Sequence, residues 1–315
     1  MVKSLAKCLP HPMLYRLYHR VHMREEATRA KAAAANAGLP LLDSLNIRSL
    51  KKSDTVFILG SAWSINDISN DRWRIIGRHG SIGFNFWPAH SFVPQIYVFE
   101  SLAYHDHPLA YAAFRPLLER RCDAYANTVK IITDVRPLGP HQLLFDLPEG
   151  MRKSLYLGYT MPVIARSELE MEAGLRYMES LGAFKPSDQI PWLFKYGGSV
   201  IAMISLGLRM GYRRIVLCGI DLDRQEYFYH HRERYPEYAD WEFSSRKDPH
   251  LTTRRLPWMI PSQSVIYLLK RLILDPAGIE LFVESHNSTL YPEVPLASES
   301  LFAQLSVPEP AVSDS

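Results

Sequence analysis

Apolar residues in this chain follow two rhythms that take turns. Short contiguous runs near 55–59, 81–85, 95–99, 128–133, 214–219 and 279–284 lack polar alternation, so they read as strands buried on both faces. Segments near 64–76, 108–121, 166–181, 198–210 and 262–274 carry apolar residues at helical spacing. An Ala-rich helix near 24–37 precedes them and stops at Gly38 and Pro40. This alternation predicts an α/β fold, a Rossmann-like, doubly wound, mostly parallel sheet with helices on both faces. Residues 222–258 break the rhythm, being rich in Tyr, Arg, Glu, His and Asp. So long a stretch within a compact domain reads as a lid insertion or binding loop. The end, with Pro308, Pro310 and Ser-Asp-Ser, reads as a disordered tail. The pattern thus divides the chain into a helical segment (1–50), one α/β domain (51–300) with its lid at 222–258, and a tail (301–315).

Composition sharpens this only in places. The chain has 315 residues, 47% hydrophobic and 22% charged, as expected for a globular protein. A net charge of +3 gives no global attraction to nucleic acid. Cys8, Cys122 and Cys218 are scattered, matching neither a disulfide framework nor a zinc spacing, which favours a reducing compartment. No apolar run approaches the roughly 18 residues that span a bilayer, so the reading is soluble and cytoplasmic. Charge is uneven, however. Lys3, Lys7, Arg16, Arg20 and Arg24 precede the first acid, interleaved with Leu14, Tyr15, Leu17, Tyr18 and Val21. Such a basic amphipathic helix either lies on an anionic inner-membrane surface or packs on its own domain.

Ligands of doubly wound sheets bind at the carboxyl ends of the strands. Residues falling there include Gly60, Ser61 and Ser64, then Asn85, then Glu100. Gly197, Gly198 and Ser199 open a helix, Asp221 and Asp223 follow one late strand, and Ser285, His286, Asn287 and Ser288 follow the other. Gly60-Ser61-Ala62 leaves room for a phosphate against bare backbone N–H groups, with Ser64 capping the helix behind it. Small residues and hydroxyls collected at one edge from distant segments point to a nucleotide pocket.

The stretches FILGSAWSIND, GFNFW, YGGSVIAMISLGLRMGYRRIVLCGIDL and FVESHNS resemble bacterial glycosyltransferases that use CMP-activated nonulosonic sugars. The pattern is most similar to the lipooligosaccharide sialyltransferase family, with related patterns in Kdo transferases and flagellin glycosyltransferases. The resemblance implies a GT-A-like sialyltransferase fold and no resident metal or other cofactor. Its partners would be a CMP-sugar donor and a glycan or glycolipid acceptor of the lipopolysaccharide, lipooligosaccharide or capsule type. Carried over by position, the family's first loop falls on Gly60-Ser61-Ala62-Trp63-Ser64-Ile65, without its middle Gly and Pro. Its strand-end Asn falls on Asn85, its helix-start Ser on Ser199 beside Gly198, and its G-I-D on Gly219-Ile220-Asp221. One phosphate-holding tyrosine falls on Tyr229 and the other on Asp223, with Tyr227 available in its place. The Asn-Ser pair near the cytidine falls on Asn287-Ser288. The family's catalytic histidine aligns with Pro261.

Transfer to a sugar hydroxyl still requires a base. His250 in the lid and His286 at a strand end are the candidates, with His230 and His231 behind them and Asp223, Glu100 or the donor phosphate as further acceptors. Asp221-Leu222-Asp223 also has the oxygen ligands that suit Mg or Mn. Two other classes stay open: an Mg-dependent pterin pyrophosphokinase-like enzyme, and a non-catalytic nucleotide- or glycan-binding protein.

Overall fold

The computed structural model describes residues 11–133, 142–163, 165–222, 226–241, 253, 256–257 and 259–307. Nine strands are present among them: β1 (Thr55–Leu59), β2 (Gly80–Phe84), β3 (Ile96–Glu100), β4 (Val129–Thr133), β5 (Leu155–Leu157), β6 (Tyr159–Pro162), β7 (Trp192–Lys195), β8 (Arg214–Cys218) and β9 (Glu280–Val283). Seven form one sheet in the order β5-β4-β3-β2-β1-β8-β9, and β6 pairs with β7 in a small second sheet. Every pairing is parallel. The chain moves outward from β1 to β5, returns, and continues from β8 to β9 on the other side. The switch point therefore lies between β1 and β8, as the doubly wound reading requires.

The helices are α1 (His11–Ala37), α2 (Asn70–Arg78), α3 (Pro108–Arg121), α4 (Glu168–Ser180), α5 (Ser199–Arg209), α6 (Ser262–Leu269) and α7 (Glu299–Ser306), besides a single turn at Glu149–Arg152. The pleat sends alternate strand residues to opposite faces. Val56, Ile58, Ile82, Val98, Ile131, Ile215 and Leu217 join a core with α4, α5 and α6. Phe57, Leu59, Tyr97, Phe99, Ile132, Val216 and Cys218 join a second core with α2, α3, α7 and the end of α1. Burial on both faces is why these strands read as unbroken apolar runs. The helix α5 is buried from Val200 to Arg209, so it has no polar face at all.

Several features depart from the sequence reading. The segment expected as one helix at 64–76 divides into a 3₁₀ turn (Trp63–Asp67) and α2, because the Ser69 hydroxyl accepts from Arg72 N–H and starts a new helix. The strands β5, β6 and β7 were not expected; at three or four residues they are too short to show a period. Within the expected lid, residues 226–241 are packed on the domain, with Phe228, Tyr229 and Tyr238 buried. Residues 301–306 of the expected tail are ordered in α7, where Leu301, Phe302 and Leu305 are buried; the tail beyond 307 and residues 223–225, 242–252, 254–255 and 258 of the lid lie outside the described residues.

One continuous helix, α1, replaces the two segments expected before Gly38, where φ of +62° ends it. Ala30, Ala33, Ala34 and Ala37 are buried, whereas Leu17 and Val21 are exposed. Among the described residues no helix is long and apolar enough to cross a membrane.

Candidate functional site

The carboxyl edge of the large sheet holds most of the singled-out residues, in two adjoining groups. The first is the seam between β1 and β8. Gly60 N–H donates to the Cys218 carbonyl at 2.8 Å, and Ala62 N–H donates to the Gly219 carbonyl at 3.0 Å. Ser64 gives both its N–H (3.1 Å) and its hydroxyl (2.5 Å) to the two oxygens of Asp221. Thus Asp221 fills the anion position at this turn, and the N–H groups of Gly60, Ala62 and Ser64 are engaged by the protein itself. Ser64 does not cap α2, whose N-cap is Ser69, five residues later. Gly60 is small because the strands meet here: a Cβ on it would lie 2.5 Å from the Gly219 carbonyl oxygen. The same loop is pinned from outside, since Phe228 N–H donates to the Ser61 carbonyl at 2.9 Å.

The second group surrounds a recess of about 240 Å³, counting its open mouth, lined by residues that include Asn85, Glu100, Thr133, Thr160, Lys195 and Ser199. Its polar residues come from the ends of β2, β3, β4 and β7, from β6 and from the start of α5, over an apolar floor of Phe84, Val98, Leu193, Ala202 and Met203. A continuous network crosses it. Asn85 Nδ2 donates to Ser199 Oγ (3.2 Å), Ser199 Oγ donates to Glu100 Oε1 (2.7 Å), and Lys195 Nζ donates to the same oxygen (2.8 Å). Asn85 has a φ of 52°, in the left-handed region that Asn tolerates better than most side chains. Its backbone is held there by bonds from its N–H to the Val98 carbonyl and from Tyr97 O–H to its own carbonyl. Gly197, at φ +63°, and Gly198 bring the chain from β7 into α5, which sets Ser199 in its first turn.

Phe86, next to Asn85, belongs to an aromatic cluster with Phe114, Tyr229 and Trp241. Tyr227 stacks on Tyr229 at 5.1 Å, and burial pushes both phenols up, so each is a neutral O–H near neutral pH. The cluster therefore links the described part of the expected lid to the residue beside the recess.

The other candidates lie elsewhere. His286 and Asn287 are exposed past the end of β9, three strand positions from β2, or about 14 Å across the sheet. The Ser288 hydroxyl donates to the Ile220 carbonyl at 2.6 Å and so braces the turn after β8. His230 Nδ1 accepts from Tyr227 N–H, and His231 stacks on Trp63. Pro261 occupies the N-cap of α6. His250 and Asp223 lie outside the described residues. Among the described residues, no group of three His, Cys, Asp or Glu is placed to hold a metal ion.

Sequence reasoning did not single out Lys195, the cation of the recess. Its strand was not recognised, so the lysine had no strand end to mark. A lysine two residues before a Gly-Gly-Ser helix start was the available signal.

No protein-family model matches the chain, and no curated protein matches it significantly.

Proposed function

We propose that this protein is a glycosyltransferase that moves a sialic acid-like or Kdo sugar from a CMP-activated donor to a bacterial surface glycan. The fold would then be the GT-A-like sialyltransferase variant of the doubly wound sheet. One observation carries the reading: Asn85 and Ser199, which the resemblance marks as nucleotide-contacting residues, lie 114 positions apart and share a hydrogen bond in a recess at the strand ends. The neutral phenol of Tyr227 is a donor of the kind that answers a leaving phosphate without a metal ion, whereas Tyr229 is buried beneath it in the aromatic cluster. Asp221 spends both oxygens on Ser64, which supports a structural role for it over metal ligation.

The test is a thermal-shift screen of the full chain with CMP, CTP, and ATP plus Mg. The proposal expects protection by CMP and CTP. Protection by ATP with Mg alone would favour phosphoryl transfer, and protection by no nucleotide would leave a glycan-binding protein.

A further inference from the structure

The strand-end carboxylates differ in what is left of them. Asp221 is buried with both oxygens bonded to Ser64. Glu284 is buried and tied to Arg72 at 2.5 Å, and burial pushes its carboxyl up against the pull of Arg72. Glu100 is unlike either. Its side chain is about a third exposed, at 34%, and both of its donors, Lys195 Nζ and Ser199 Oγ, meet the same oxygen. Two bonds on Oε1 fix the orientation of the carboxylate and leave Oε2 out of both.

We propose that Glu100 is the catalytic base for the acceptor hydroxyl, with Lys195 and Ser199 as its positioning residues. This rests on the glycosyl-transfer reading above. In the step, the acceptor O–H gives its proton to Glu100 Oε2 while the acceptor oxygen bonds to the anomeric carbon of the donor. The bond from that carbon to the phosphate oxygen breaks, and its electron pair leaves with CMP. Protonated Glu100 then returns its proton to water. A carboxylate in this role has ample precedent in glycosyl chemistry. Lys195 and Ser199 hold the carboxylate by Oε1, so that Oε2 is the oxygen presented to the acceptor. As the proton moves, the Lys195 ammonium beside Glu100 is a positive charge near the phosphate that departs with CMP. That interaction strengthens only as the reaction proceeds, which is the form of binding that raises kcat. His286 lies past β9, four strand spacings from the end of β3 that carries Glu100.

The experiment measures CMP release from CMP-N-acetylneuraminic acid and from CMP-Kdo, with lactose or water as acceptor, between pH 5 and 9. CMP affinity is measured alongside by calorimetry. Glu100→Gln keeps the shape of the side chain. It should lower kcat by about 10²-fold or more and keep the CMP Kd within about threefold, with formate restoring part of the rate. Glu100→Asp should retain more of the rate than Glu100→Gln, since it keeps a carboxylate at the site. Lys195→Met should lower kcat with the CMP Kd kept within about threefold, because the carboxylate loses one of the two donors that orient it. A Glu100→Gln protein that binds CMP and turns over within threefold of the wild type would overturn the base assignment and leave the transfer reading standing. A wild type that neither binds CMP nor releases it from either donor would overturn both.

Discussion

Asn85 and His90, five residues apart, show how side chains on the same loop are given different tasks. Asn85 turns toward α5 and Ser199. His90 turns the other way, between Trp73 and Trp87 and against Phe228, with its Nδ1 accepting from Phe92 N–H. That bond needs a neutral ring. Burial, helped by Arg121 and Arg234, lowers the His90 pKa to about 4. A base whose pKa is depressed by folding contributes stability above its unfolded value, near 6.5, and loses it as pH falls toward 4. The loss amounts to at most about 3 kcal/mol. Denaturant unfolding of wild type and His90→Phe across pH 4–7 should therefore show a steeper acid loss in the wild type. Parallel curves would remove His90 from the acid response.

At the scale of elements, the β1–β8 seam decides how the first loop is used. Gly60 and Gly219 approach so closely that a Cβ on Gly219 would lie 2.6 Å from the Gly60 carbonyl oxygen, and Gly219 also has a φ of +65°. Gly60→Ala should cost about 2 kcal/mol or more in denaturant unfolding, and Gly219→Ala more still, since it adds left-handed strain to the clash. Changes within about 0.5 kcal/mol, the range of ordinary surface substitutions, would contradict this account of the seam. The glycine was legible in the sequence as a marked position, and its purpose was not. A Gly-Ser-Ala step after a strand looks the same whether it receives a phosphate or a neighbouring carbonyl. Only the partner strand, over 150 residues later, distinguishes the two. The five-residue strands of the large sheet were legible because burial on both faces leaves them without alternation of apolar and polar residues. The strand β7 was missed because four residues show no period, and Lys195 was missed with it.

At the scale of the molecule, topology gathers distant segments at one edge, and the sequence allowed that edge to be located. Asn85, Glu100 and Ser199 were each placed at an element end from local pattern alone, and the fold joins them in one network. Their mutual bonds, and the ammonium that completes the set, depend on side-chain directions that no local pattern encodes. The central claim is that this network faces a nucleotide. It is tested most directly by calorimetric titration of CMP into the wild type, Asn85→Ala and Ser199→Ala, each first shown to be folded by circular dichroism. The account predicts saturable CMP binding by the wild type and a loss of about tenfold or more in each variant, the cost of about one hydrogen bond to a charged or strongly polar ligand. Undiminished CMP affinity in both variants would contradict it.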